Sequence, residues 1–370
     1  MKLKDVISTA DMERCGERTL PVLSMTMHDG IVLQADRFKK AIASKDLSSY
    51  KVVRRNQLVV SFPIDEGVLY IQDLVDAGIV SPAYAIWDIH ANMVYPRYLG
   101  MFLRSPRSIQ YYKSKLRGST ARRRTIPRED FLCMELPEVS IAEQRKICAT
   151  LETIKIVISE CEQQINRLGE IVKSRFVEMF GDPEDNPKGF PLLRIDDVVS
   201  FHGGSQPDKK FFEYEPTVDN VRLIQIRDYR TDRYKTYIPR SLAKRHCNPD
   251  DIMIGRYGPP IFQIFKGLEG AYNVAMMKAV PKMGNREFIR AFLQQDCLRH
   301  YLEGFSKRTA GQDGIQMDKL KAYPFPYPPI ELQDLFAAFV EKVDKLAFAA
   351  RRRRDVARQL YRAKIQEFFG

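Results

Sequence analysis

The sequence predicts an α+β protein in which two repeated globular α+β domains are joined by two long helices. The first observation behind this is a heptad pattern between residues 141 and 181, where apolar residues recur at alternating steps of four and three. A helix buries such a stripe against another helix in a coiled coil. No proline interrupts the stretch, and about 40 residues at about 1.5 Å each give a rod of roughly 60 Å. The seam residues are Ile147, Leu151, Ile154, Ile158, Cys161, Ile165, Leu168 and Val172.

The second observation is that the same stretch recurs 189 positions later, between residues 330 and 370. Gln144 corresponds to Gln333, and both copies end in Phe-Gly. Both also begin after a proline and carry an acidic residue in the first turn, as helix starts often do. In the second seam Arg354 must tilt outward, while the small residues around it predict a close approach of two helices. The matching seam residues are Phe336, Val340, Val343 and Tyr361, with Ala347, Ala350 and Ala357 between them.

The first globular domain is predicted over residues 1–139. Runs rich in Val, Leu and Ile, punctuated by Pro, Gly and Asn, predict short strands within 18–33 and 50–62. Residues 96–116 predict a helix, and residues 131–137 predict an edge-like strand that closes the domain. These elements give a mixed domain with a β core.

Residues 182–191 follow the first spacer helix (140–181). They are predicted to be a linker, because a segment of prolines, glycine and charged residues cannot form a core. The second domain, 192–328, then repeats the segments of the first in order, and the second spacer helix occupies 329–370. Since the linker is short, the second domain is expected at the C-terminal end of the first helix. The second helix starts from that domain, so the first helix is the one surface against which it can bury its seam. The helices are therefore expected to run antiparallel, with one domain at each end and a pseudo-twofold axis between them.

Composition limits the functional class. The chain has 370 residues, 44% of them hydrophobic, and no apolar run approaches the 18 residues of a membrane span. The first residues lack the apolar core of a signal peptide, so a cytoplasmic protein with no membrane contact is expected. Six scattered cysteines without a CxxC pair predict free thiols. A net charge of +12 favours a polyanionic partner.

A basic stretch in the first domain suggests nucleic acid as that partner. Between Arg97 and Arg128 there are ten Lys or Arg residues and no acid, with tyrosines among them. Arginine suits phosphates and the guanine edge, although a solvated basic helix gives the same pattern. In the second domain, a tight core turn is an equal alternative for Arg256 and Tyr257. The predicted DNA-binding residues are Lys115, Arg117, Arg122, Arg123 and Arg124 in the first domain, and Arg256, Tyr257, Lys307, Arg308 and Gln312 in the second.

No catalytic pattern accompanies these residues. The sequence has no GxxxxGK[ST] phosphate loop, no glycine-rich nucleotide fingerprint and no His/Cys group with metal-ligand spacing. We therefore expect no catalytic residues, no metal and no cofactor on this chain. The run Arg351–Arg354 covers every face of a helix, so a solvated or partner-facing surface is expected there.

The chain resembles the specificity subunit of a Type I restriction–modification system along essentially its full length. The resemblance depends on the two helix starts PEVSIAEQRKI and PPIELQDLF, the junction FVEMFGDPEDNPKGFPLLRIDDV, and the segments MELP and PFPYPP that precede the helices. It implies two target-recognition domains that each read one half of a bipartite, asymmetric DNA site, with the helices fixing the gap.

The resemblance also implies partners. The helices would dock two methyltransferase subunits that use S-adenosylmethionine, and the motor-nuclease (restriction) subunits would join that core, so that ATP and Mg belong to partner subunits only. The acid-free stretch departs from its counterpart in the second domain. Two other classes stay open: a self-contained DNA-modifying nuclease, and a coiled-coil scaffold that does not bind DNA.

Overall fold

The computed structural model describes residues 1–27, 29–37, 46–116, 126–258, 260–306 and 314–370. The chain forms two compact units. Unit 1 comprises Met1–Glu162 with Arg351–Gly370, and unit 2 comprises Gln163–Ala350. Each of the two long helices therefore contributes residues to both units.

Unit 1 has short strands followed by helices, as the alternation of apolar runs and turn residues predicts. Up to the first long helix its elements are α1 (Leu3–Val6), β1 (Ile7–Thr9), β2 (Leu23–Met25), β3 (Ile31–Leu33), α2 (Gln34–Arg37), β4 (Lys51–Arg54), β5 (Leu58–Val60), β6 (Leu69–Ile71), β7 (Ala77–Val80), β8 (Ala85–Ile89), α3 (Pro96–Leu103), α4 (Pro106–Lys115), α5 (Arg128–Leu132) and α6 (Ile141–Phe180).

Unit 2 has a similar order of elements, with additional strands at Leu192–Arg194 and Pro324–Pro326. Its elements are β9 (Leu192–Arg194), α7 (Ile195–Val198), β10 (Val199–Gly203), β11 (Asn220–Ile224), β12 (Tyr237–Pro239), β13 (His246–Cys247), β14 (Ile252–Gly255), β15 (Gln263–Lys266), β16 (Gly270–Tyr272), β17 (Met276–Pro281), α8 (Arg286–Leu293), α9 (Asp296–Ser306), α10 (Met317–Ala322), β18 (Pro324–Pro326) and the long α11 (Ile330–Phe369).

The main sheets of the two units are built alike. The strand order is β1-β8-β5-β6 in unit 1 and β10-β17-β14-β15 in unit 2, with every pair antiparallel. Each first strand follows a one-turn helix whose start is fixed in the same way: the Lys2 amide donates to Asp5 Oδ2 at 2.7 Å, and the Arg194 amide donates to Asp197 Oδ2 at 3.1 Å. The repeat seen in the sequence is thus a repeat of topology.

Two predicted elements of the first domain were wrong. Residues 96–116 form two helices, because Pro106 takes the first position of α4 and the preceding Ser105 caps it by accepting a hydrogen bond from the Ser108 amide at 3.3 Å. The predicted edge strand at 131–137 begins inside helix α5, and only Glu135 makes an isolated bridge, to Lys2.

The two long helices run antiparallel within unit 1. Phe369, near the end of α11, is buried in the same core as Ile147, near the start of α6, and its ring lies 5.3 Å from that of Tyr98. Earlier in α11, Arg358 pairs with Glu162, later in α6, at 2.6 Å. Later residues of one helix thus meet earlier residues of the other.

The same direction holds within unit 2. Phe180, at the end of α6, is buried against Phe336, near the start of α11, with ring centroids 5.5 Å apart, and lies 4.7 Å from Phe288 of α8. Leu168 and Val343 form the next cluster along the pair. Phe180 in unit 2 therefore corresponds to Phe369 in unit 1: each is an aromatic end of a long helix inserted into the core of a globular domain.

The residues predicted to form the two seams are buried or half-buried. Arg354 is only partly exposed, and its guanidinium bonds to Asp355 Oδ1 at 2.9 Å. Ala347, Ala350 and Ala357 are buried. Buried seam residues are Ile147, Leu151, Ile154, Cys161, Leu168, Phe336, Val340 and Val343, and half-buried ones are Ile158, Ile165, Val172 and Tyr361.

Within the described ranges, no helix combines the length and the apolar content that a membrane crossing requires.

Candidate nucleic-acid interface

A buried glutamine joins each globular domain to the start of a long helix. In unit 1, Gln144 Oε1 accepts from the backbone amide of Tyr95, the cap of α3, at 2.8 Å, while its Nε2 donates to the Val139 carbonyl at 2.8 Å. Its side chain has no exposed surface. One side chain thus fixes the direction in which the helix leaves the domain.

Gln333 makes the same two bonds in unit 2. Its Oε1 accepts from the backbone amide of Asn285, the cap of α8, at 2.8 Å, and its Nε2 donates to the Pro328 carbonyl at 2.8 Å. The neighbouring Gly284 has a φ of +80°, and a Cβ there would lie 2.9 Å from Gln333 Oε1. The two glutamines that mark the sequence repeat therefore make the hydrogen bonds that position each domain at the start of a long helix.

The basic stretch of the first domain does not form one continuous free surface. Arg97 pairs with Glu152 of α6 at 3.3 Å, and the Arg104 guanidinium lies over the Tyr70 ring at 4.8 Å. Lys115 is exposed at the end of α4. The predicted contacts Arg117, Arg122, Arg123 and Arg124 lie outside the described residues.

Arg256 and Tyr257 are half-buried directly after β14 in unit 2. The Arg256 guanidinium lies 5.4 Å from the Tyr257 ring centroid, and its Nη1 reaches the Val274 carbonyl at 3.5 Å. Its Nε is buried without a hydrogen-bond partner in the described part of the chain. Tyr257 makes an isolated bridge to Gly314. The Arg256 guanidinium is thus largely engaged by its own domain. The predicted contacts Lys307, Arg308 and Gln312 lie outside the described residues.

Unit 2 contains an open groove that the sequence reasoning missed. Its volume is about 860 Å³, and its rim carries Tyr214 and Tyr234, which are 70% and 53% exposed. The Arg233 guanidinium lies over the Tyr234 ring at 5.2 Å. The basic residues Lys209, Arg227, Arg233 and Lys235 line the groove, together with Glu215 and Asp232.

Ion pairs within the domain engage one acid of this groove, so that its basic side chains and tyrosine rings remain to contact a ligand. Asp232 is engaged by Arg222 at 3.0 Å and by Lys235 at 3.5 Å. Arg227 donates to Thr236 Oγ1 at 2.9 Å, which orients its guanidinium. Exposed tyrosines beside cations offer stacking and phosphate contacts. The sequence does contain tyrosines between basic residues in this region. Acidic residues lie among them, so the region does not stand out as a basic stretch.

Acid, histidine and cysteine side chains of the described segments do not come together in a group of three or more that could hold a metal. The described cysteines are free, and burial raises the pKa of the Cys148 and Cys247 thiols to about 11, so they are protonated at neutral pH.

Comparisons with known proteins place this fold. No family model matches the sequence, and no curated protein matches it. Solved structures also match, including the following three, each over 100% of this chain. One is a chain of a structure described as the "structural basis underlying complex assembly and conformational transition of the type I R-M system", with 18% identity, a TM-score of 0.54 and 96% of that chain covered.

The second is the S subunit of a Type I restriction-modification system from M. genitalium, with 12% identity, a TM-score of 0.60 and 95% of that chain covered. The third is the HsdS subunit from Thermoanaerobacter tengcongensis, with 17% identity, a TM-score of 0.38 and 95% covered. The first two show that this chain has the fold of Type I specificity subunits. The family resemblance stated from the sequence motifs is thereby confirmed at the level of fold.

Proposed function

We propose that this chain is the DNA-recognition (specificity) subunit of a Type I restriction–modification complex. The observation that supports this most is the fold shared with such subunits over the whole chain. The repeat within the chain agrees with it, since two similar domains suit two half-sites. In this role the chain carries no catalytic residue, and S-adenosylmethionine, ATP and Mg act on partner subunits.

The proposed arrangement is a ruler. Two target-recognition domains sit on two antiparallel coiled-coil helices related by a pseudo-twofold axis, and the helices fix the gap of a bipartite, asymmetric site. The antiparallel direction found separately in each unit supports this, as do the two equivalent glutamine bonds. Because a helix of 40 residues is about 60 Å long, the ruler exceeds one DNA turn of about 34–36 Å.

Readout is proposed to differ between the two domains. The tyrosine-rich groove of unit 2, including Arg233 and Tyr234, supplies cations for phosphates and aromatic faces for bases. In unit 1 the corresponding role falls to Lys115 and the arginines that follow it. Two domains with one scaffold and different surface chemistry suit two different half-site sequences.

Exposed apolar residues on α11 support docking of partner proteins on the helices. Leu335, Leu346 and Phe348 are exposed in unit 2, as are Val356 and Leu360 in unit 1. Large apolar side chains on a water-facing helix are typical of an interaction surface. We assign this surface to the methyltransferase subunits, which the motor-nuclease subunits then join in the cytoplasm.

The test is single-molecule methylation sequencing of DNA from a host that expresses this chain with its neighbouring methyltransferase gene. We expect a new bipartite motif with a fixed gap that disappears when this chain is omitted. Methylation that persists without the chain, or is absent although the methyltransferase is active in vitro, would contradict the proposal and favour a protein scaffold.

A further inference from the structure

Unit 1 contains a cavity that none of the roles above uses. It lies between the end of β1, the strands β5 and β8, and α5, and its volume is about 330 Å³. Its walls are mainly apolar and include Trp87, Phe131, Ile86, Val60 and Met12. A volume of this size, with apolar walls and a few polar groups at the rim, is typical of a site for a small ligand or for one group of a larger ligand.

The internal repeat explains which residues make room for the cavity. In the β1–β8 pair, Thr9 lies opposite Trp87. In the β10–β17 pair, the same register position has Phe201 opposite Ala279, and Phe201 packs partly buried against the core of unit 2. Unit 1 thus has a small residue on the first strand and the large ring on its partner. The short side chain of Thr9 leaves space beside the indole.

Two cations and two acids lie at the rim of the cavity. Lys51 and Arg128 line it, and the Arg128 guanidinium lies 5.2 Å from the Trp87 ring centroid and bonds to Thr9 Oγ1. The rim acids are Asp11 and Glu13, and Glu13 is already paired with two arginines, including Arg54 at 2.8 Å. These bonds hold the pKa of Glu13 below its usual range. An anion is therefore attracted to the entrance, while the interior suits a planar apolar group.

The Trp87 indole adds an unsatisfied donor. Its Nε1 is buried and has no hydrogen-bond partner in the part of the chain that the structure describes. Buried donors are normally paired, so an unpaired one beside a cavity calls for an explanation. A planar heterocycle with ring acceptors and an attached phosphate suits the aromatic walls and the rim cations Lys51 and Arg128. Pairing its ring acceptors with Nε1 would require the indole to turn this buried atom toward the cavity.

We propose that the Trp87 cavity binds a nucleobase, with its phosphate at Lys51 and Arg128. The inference rests on the proposed function where the base comes from DNA, since a base must then leave the stacked duplex to enter the cavity. The base of a free mononucleotide offers the same chemistry. The two sources are separated by experiment.

The protein supplies its own reporter, because Trp87 is the one tryptophan of the sequence. Trp87 emission of the full chain is followed during titration with dAMP, with dTMP and with a fluorescein-labelled duplex that carries the motif found by methylation sequencing. Fluorescein anisotropy on the duplex samples reports overall DNA binding. A second set of duplexes carries 2-aminopurine at single positions, whose emission rises when that base leaves the stack.

The variant Thr9→Phe fills the cavity with the side chain that unit 2 carries at the same register position. Ser8→Phe is the matched control, because successive residues of a strand point to opposite faces and the same ring is then placed away from the cavity. We expect duplex to change Trp87 emission in the wild type and in Ser8→Phe but not in Thr9→Phe, with duplex affinity reduced about tenfold in Thr9→Phe by loss of one stacked base.

Each outcome decides one question. A response to mononucleotide but not to duplex assigns the cavity to a free nucleotide. Anisotropy that reports duplex binding, with Trp87 and every 2-aminopurine position silent and no response to mononucleotides, overturns the inference and leaves the proposed function intact. No duplex binding at all, by the chain alone or with its methyltransferase subunits added, refutes the proposed function, and the mononucleotide titration then decides the inference by itself. The wild-type titrations keep the test valid even if Thr9→Phe fails to fold.

Discussion

Replacing Gln333 by methionine should uncouple the second domain from its long helix. Methionine keeps the length of the side chain but removes both hydrogen bonds, so the Asn285 amide and the Pro328 carbonyl lose their partners. Gln333 has no exposed surface and Pro328 is buried, whereas Asn285 is half-buried. An unpaired buried polar group costs about 1–3 kcal/mol, so the two together should lower the free energy of unfolding of unit 2 by about 2–4 kcal/mol.

Gln144→Met removes the equivalent two hydrogen bonds in unit 1, and its effect on stability can be compared with that of Gln333→Met. Its partners Tyr95 and Val139 are both half-buried, so water can replace part of each lost bond and the cost should be about 1–2 kcal/mol. Gln359→Met is the control, since Gln359 is exposed on α11 and surface substitutions usually stay within about 0.5 kcal/mol. The expected order of destabilisation is Gln333, then Gln144, then Gln359.

Hydrogen exchange followed by mass spectrometry is the suitable assay, because a chain of two units need not unfold in one step. Gln333→Met should lose protection in α8 and at the start of α11, and Gln144→Met should lose it in α3 and at the start of α6. Equal protection in Gln333→Met and Gln359→Met would refute the view that these bonds position the domains.

Three further predictions concern the core, the ruler and the groove. Phe369→Ala should lower the free energy of unfolding of unit 1 by about 3–5 kcal/mol in chemical denaturation. The control Phe348→Ala, at a residue that is 64% exposed, should change stability little. Similar losses in both variants would contradict the core assignment of Phe369. Inserting four residues near Gln163 should change the gap between half-sites in methylation mapping and leave the half-sites unaltered, and altered half-sites would refute the ruler. Tyr234→Ala should weaken duplex binding in fluorescence anisotropy by about 1–3 kcal/mol, with discrimination lost in one half-site only; full affinity would remove the groove from the interface.

The long helices could be predicted because their pattern is local and regular. A heptad seam such as Leu151 to Leu168 needs no knowledge of the partner helix, and the repeat identified the partner by pairing Gln144 with Gln333. The break at Pro106 was missed although its signals were present: Ser105 and Pro106 form a cap and a first helical position. Helical periodicity on both sides outweighed them in the reading of the sequence.

The candidate interface was harder to predict, because charge along the sequence does not give charge in space. Arg97 and Arg104 belong to the acid-free stretch, yet one pairs with Glu152 and the other lies on Tyr70. Conversely, Tyr214 and Tyr234 lie in a stretch of mixed sign, and they reach one groove only because the turns between β10 and β12 bring them together. Which cations are free depends on partners far along the chain.

The repeat also separates residues that serve the scaffold from residues that serve a ligand. The same position in two copies of one fold meets the same backbone, so a position required by the fold should keep its chemistry in both copies. Gln144 and Gln333 do so through identical bonds. The pair Thr9–Trp87 does not, since its counterpart places the large ring on the other strand. Two copies that preserve the join to the helix and differ beside the sheet are what a reader of two unlike half-sites requires, and the Trp87 cavity lies at one such difference.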